Sequence, residues 1–106
     1  FWRDLVVGTN VCVATTGSVG NRRLIVTWPS MRLYGGTTSE TISAEVIINE
    51  ADSSIDFLYP SVTLPSGTTA TIGLENQAGT MAIGGCTAGT VCSVTSSTRI
   101  RFVPSP

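Results

Sequence analysis

Hydrophobic and polar residues alternate along much of this chain, and the longest run of that kind is Asn21 to Trp28. Successive side chains of an extended strand point to opposite faces, so Leu24, Val26 and Trp28 share one side and Arg23, Ile25 and Thr27 the other. β-Branched and aromatic residues dominate the run, which suits a pleated, half-buried surface. Ile25 makes the second face partly apolar and so predicts a central rather than an edge strand. Pro29 cannot donate to a ladder, so the strand is expected to end or bend there. A helix fits less well, because Val, Ile, Thr and Trp are mediocre helix formers and the apolar spacing is not helical.

The same period recurs on both sides of this run. Phe1 to Val7 predicts a short opening strand with Trp2 and Leu5 turned inward, and Val11 to Thr16 a second strand after a turn at Gly8-Thr9-Asn10. Thr41 to Asn49 places Ile42, Ala44, Val46 and Ile48 inward. A turn at Glu50-Ala51-Asp52-Ser53 then leads into Ser54 to Tyr59, with Ile55, Phe57 and Tyr59 inward. Two strands around so short a turn pair antiparallel. Thr69 to Leu74 alternates with Ala70, Ile72 and Leu74 inward. Met81 to Ile83 is a short strand, and Arg99 to Val103 is the last, with Ile100 and Phe102 inward and two arginines outward. The expectation is an all-β domain, a two-layer antiparallel β-sandwich of about eight strands with no helix.

Composition agrees with one β domain. The chain has 106 residues, 42% hydrophobic and only 12% charged, with 11 glycines among many Ser and Thr. That length supports one core and little more, so residues 1–106 read as a single module. The chain starts at Phe1 without a methionine, which fits a mature product or a piece of a longer secreted chain. No apolar run approaches the ~20 residues of a membrane-spanning helix.

Charge and residue types narrow the chemistry. All six basic residues are arginines and the net charge is −1, so no basic surface for nucleic acid is expected. The absence of histidine removes the usual general base, the usual activator of a nucleophile and the commonest zinc ligand. A serine nucleophile without histidine would need a lysine, and there is none. A glycosidase needs two carboxylates flanking a cleft, and Glu45, Asp56 and Glu75 are the candidates. The expectation is a protein that is not an enzyme and carries no resident cofactor.

Three clusters are candidates for binding or cross-linking. Glu50, Asp52 and Asp56 gather acids around one turn and could begin a calcium site, although they do not follow an EF-hand spacing. Cys86 and Cys92 flank Thr-Ala-Gly-Thr-Val, where Gly89 can supply a turn, and facing strand positions lie within disulfide reach. Pairing of Cys12 with either is the rival, which sequence leaves open. Glu75 beside Asn76 and Gln77 could bind a sugar or an ion, or could cap a turn. Gly36 with two following hydroxyls lacks the Gly-Lys-Ser/Thr of a phosphate loop. Trp2, Tyr34 and Tyr59 are the aromatics left as platforms for a glycan, since Trp28, Phe57 and Phe102 look internal.

Four segments, in order, resemble the nidogen-like extracellular domain and related β-rich modules of large secreted bacterial proteins. They are Phe1-Trp2-Arg3-Asp4-Leu5, Asn21 to Trp28, the hairpin of Val46-Ile47-Ile48-Asn49-Glu50 with Ile55 to Tyr59, and Ala70 to Thr80. The resemblance runs from Phe1 to Phe102 and departs at Arg3, where an acidic residue is usual, and in the cysteine-bearing tail. It implies a non-catalytic β-sandwich module, secreted or on a cell surface, with a structural, adhesive or fibre-forming role. Its partners would be a protein or a second copy meeting unpaired sheet edges. The alternative is a carbohydrate-binding module.

Overall fold

The structure is a computed structural model and describes residues 1–86 and 91–105. Its elements are all strands: β1 (Leu5–Val7), β2 (Cys12–Thr16), β3 (Arg23–Leu33), β4 (Thr41–Asn49), β5 (Ile55–Tyr59), β6 (Ala70–Thr71), β7 (Gly73–Glu75), β8 (Ala82–Gly84), β9 (Val91–Cys92) and β10 (Thr98–Phe102). The main sheet runs β1-β3-β4-β5-β10, and β2 pairs with β3 as well. Every pairing is antiparallel. The all-β, two-layered architecture is the expected one. The second layer, however, is two separate ribbons, β6-β9 and β7-β8, rather than a full sheet.

The alternation read from sequence becomes rows across the sheet. Val13, Val26, Val46, Phe57 and Ile100 stand in one row, strand to strand, and Thr15, Leu24, Ile48, Ile55 and Phe102 in the next. These side chains share the face that carries the ribbons. The core lies where Met31, Ile42 and Tyr59 of the sheet meet Ile72, Cys92 and Val94 of the second layer. Phe1 stacks at a tilt on Tyr59 with ring centroids 5.9 Å apart, and Phe57 meets the edge of Phe102 at 5.2 Å, spacings at which aromatic pairs attract. Burial pushes the Tyr59 hydroxyl up to about 12, so this ring is core rather than the glycan platform expected.

The ribbons cover only part of that face. Leu24 and Ile48, expected inward, are 38% and 44% exposed, and Val13 is 67% exposed. The inward stripe therefore extends beyond its cover, on the side of the sheet that β2 closes.

Pro29 did not end its strand. β3 continues to Leu33, with a register shift between Trp28 and Met31. Pro29 has no N–H to place in a ladder, and a bulge accommodates it. Its carbonyl accepts the hydroxyl of Ser43, whose own N–H has turned to Ser61 O at 2.8 Å. On the other side of β3, β1 and β2 lie end to end, and Gly8 bonds Ser30 O at 2.8 Å opposite the bulge.

The expected strand Thr69 to Leu74 is split. Ile72 is buried beneath the junction, so β6 and β7 join different ribbons. Gly73 has to be glycine there, since a Cβ would lie 2.5 Å from Ile83 O. Two-stranded ribbons this short are marginal alone. Cys86, just past β8, is bonded to Cys92 in β9 with Cα atoms 5.8 Å apart, so the disulfide staples one ribbon to the other. The turn expected at Gly89 lies outside the described residues.

Ile42 is fully buried at the centre of this packing. We expect Ile42→Ala to cost about 2–5 kcal/mol in chemical denaturation, as other buried Ile truncations do. Leu24→Ala, on the uncovered part of the same face, should cost clearly less.

Candidate functional site

The three acids around the β4-β5 turn do not converge. The Asp56 side chain is nearly inaccessible on the face opposite the ribbons, although its position invites solvent. Arg101, directly across in β10, donates Nε to Oδ1 at 2.7 Å and Nη2 to Oδ2 at 2.9 Å. Arg99 Nε adds a bond to Oδ1 at 3.1 Å. Asn49 Nδ2 donates to Asp56 Oδ2 and to Ser54 Oγ, both at 3.0 Å. These donors, Arg101 foremost, hold the Asp56 carboxyl well below the usual carboxylate range.

Glu50 turns the other way. It accepts the N–H groups of Gly20 and Arg22 at 2.9 and 3.0 Å and the Nε of Arg22 at 2.9 Å. Bonding to Arg22 draws its carboxyl down to about 2. Asp52 Oδ1 accepts the Ser54 N–H at 2.9 Å, closing a turn in which Ser53 sits at φ +56°. Thus Glu50, Asp52 and Asp56, the candidate calcium ligands, each serve a different partner. Among the described residues no group of three or more His, Cys, Asp or Glu is placed to hold a metal ion.

Of the glycosidase candidates, Glu45 and Asp56 share one face of neighbouring strands, and both are engaged elsewhere. Glu45 on β4 accepts Thr27 Oγ1 at 3.0 Å, Asp56 is held by arginines, and Glu75 stands on β7. Asn76 resolves the segment after β7: its Oδ1 accepts the N–H groups of Thr80 and Met81 at 2.9 and 3.2 Å, so it shapes the turn. The Glu75 carboxylate makes no hydrogen bond or ion pair among the described residues.

Two of the clefts near the chain start each carry an exposed aromatic ring. One, about 470 Å³, lies among Phe1, Trp2, Phe57, Thr71, Leu74 and Glu75. The other, about 580 Å³, lies among Arg3, Asp4, Tyr34 and Gly35-Gly36. Trp2 was expected to turn inward. Its backbone N–H bonds Thr71 O at 2.7 Å, yet the side chain is 84% exposed. Pairing with the ribbon, rather than with the main sheet, reverses the face on which the indole lies. Tyr34 is 76% exposed.

The β2 edge is the other open feature. All five of its residues are exposed, and none is charged or proline. Cys12, the free cysteine of the described residues, stands on it. Sequence reading missed this edge because its Val and Thr alternation resembles that of a covered strand. Among the described residues no helix is long and apolar enough to cross a membrane.

Comparison with known proteins adds one finding. A family model described as NIDO related matches residues 1–105. No curated protein and no solved structure matches the chain.

Two outcomes are expected here. Asp56→Asn should lower stability at neutral pH by about 1–3 kcal/mol, the range for losing hydrogen bonds to a charged group. Asp56 and Glu50 have depressed folded values, so their contribution is complete above about pH 5 and is lost as pH falls from there through those values. Denaturation curves of wild type and variant should therefore draw together progressively as pH falls below about 5 and still differ at about pH 3. Alkylation of unfolded, unreduced protein should modify one thiol, Cys12, and all three after reduction.

Proposed function

Because the chain belongs to the NIDO-related family, we propose that it is a non-catalytic extracellular interaction module. In this reading it is one unit of a secreted or cell-surface protein and joins copies of itself through the free edge of β2. The observation that carries the reading is the undefended edge. Exposed edge strands are normally blunted by charge, proline, a bulge or a covering element. The outer edge at β10 carries Arg99 and Arg101, whereas β2 carries no such guard. An unpaired strand of that kind accepts another by β-augmentation, with backbone bonds giving affinity and alternate side chains giving selectivity. Val13, exposed on the ribbon-bearing face of β2, gives an arriving strand an apolar neighbour. The Cys86–Cys92 disulfide supports an oxidising compartment.

A second reading, glycan binding, is favoured by the exposure of Trp2 and Tyr34. Carbohydrate modules need accessible aromatic rings, and these two meet that requirement.

The edge reading is tested by light scattering in a Cys12→Ser background, which excludes disulfide dimers while leaving Cys86–Cys92 intact. We expect the mean molar mass to rise with concentration, and Val13→Lys to return it to that of one chain. A single-chain mass at every concentration would refute association through β2.

A further inference from the structure

We propose that the cleft between Trp2 and Glu75 is a binding site for an uncharged saccharide, a proposal that rests on the second, glycan reading above. Three observations meet there.

The first is an exposed flat ring on a fixed backbone. The Trp2 indole is 84% exposed, while its main chain is anchored by the 2.7 Å bond to Thr71 O. The ring stands in solvent on an anchored backbone, with its π-face open to a ligand. Sugar rings carry a patch of polarised C–H groups on one face and hydroxyls around the rim. The negative π-face of an indole suits the patch.

The second is a pair of polar groups with nothing else to do. Glu75, in β7, has a carboxylate with no hydrogen bond or ion pair among the described residues, and the Thr71 hydroxyl is equally unengaged. This contrasts with the acids of the β4-β5 turn, all of which are bonded. A carboxylate accepts from two neighbouring hydroxyls at once, and a threonine hydroxyl both donates and accepts. Asn76 secures the turn beside them, so Glu75 is not needed for the fold.

The third is the cleft itself. Its volume, about 470 Å³, is within the range of small-molecule sites, which are mostly apolar with a few placed polar groups. Phe57 and Leu74 supply the apolar part. No cationic side chain lines it, and burial disfavours the charged form of the amino group of Phe1, a lining residue, so a carboxylated or sulfated sugar would meet Glu75 with little counter-charge. That selects uncharged sugars. An organic cation could also use an indole and a carboxylate, and the test separates the two.

The experiment is native affinity electrophoresis of the whole chain in gels containing glycogen, galactomannan, hydroxyethyl cellulose or polygalacturonate, with soluble chitin oligomers followed by calorimetry. Wild type should be retarded or titrated by at least one uncharged glycan and not by polygalacturonate. Trp2→Ala should weaken that binding at least tenfold and Glu75→Gln several-fold. Both positions are exposed, so unchanged thermal melts will show that the variants fold. Tyr34→Ala, in the neighbouring cleft, should bind as wild type. If Tyr34→Ala loses binding and Trp2→Ala keeps it, the site assignment fails while the glycan reading survives. If no uncharged glycan binds, both fail. Calorimetric binding of tetramethylammonium with no glycan binding would identify a cation site and overturn the proposal.

Discussion

One buried carboxylate fixes the register of this sheet at its far side. Asp56 faces outward on β5, and an unpaired charge excluded from water there would be costly. It is tolerated because Arg101, Arg99 and Asn49 all donate to it. That requirement sets β10 against β5 in the one register that places Arg101 opposite Asp56. The same register lines Ile100 with Phe57 and Phe102 with Ile55 on the other face. A slip of one residue would unpair the charge and turn the apolar row out of the core together. Glu50 does a similar job at the end of β4, tying the turn to the loop that leads into β3.

The front of the sheet is held differently. Its cover is two short ribbons, joined by a disulfide and seated through Ile72, Cys92 and Val94 on Met31, Ile42 and Tyr59 of the sheet. This cover is smaller than the sheet. It leaves the β2-β3 side of the apolar face open, and it opens the cleft beneath Trp2 as well. Edge and cleft are thus consequences of one geometric fact, and they are the places where this domain can meet something else.

Alternation made much of the architecture legible. β4, β5 and their turn were readable because apolar residues recur at every second position, Ile42 to Ile48 and Ile55 to Tyr59, around a short turn. The centrality of β3 was readable from Ile25, which has β2 on one side and β4 on the other. Pro29 signalled an end or a bend, and of the two the strand bends, through a bulge. Where a residue serves two neighbours the pattern misled. Thr69 to Leu74 alternates as one strand, yet Ile72 anchors the junction where it divides. Trp2 looked internal because large aromatics generally are, and nothing local records that its strand partner is a ribbon. Glu50 and Asp56 looked like parts of one cluster because their arginine partners, Arg22 for the first and Arg99 and Arg101 for the second, are distant in sequence. Long-range pairing of this kind leaves no local trace. Membership of the NIDO-related family agrees with the nidogen-like resemblance and with a disulfide-bearing extracellular domain.

The central claim is that a well-tied sheet keeps one edge open for pairing. Amide hydrogen exchange resolved along the chain tests it most directly, since exchange reports local opening strand by strand. The account predicts slow exchange in β3, β4 and β5, with β2 exchanging quickly in dilute solution and becoming protected as concentration rises. Protection of β2 equal to that of β4 in the dilute monomer, or protection that does not change with concentration, would contradict it.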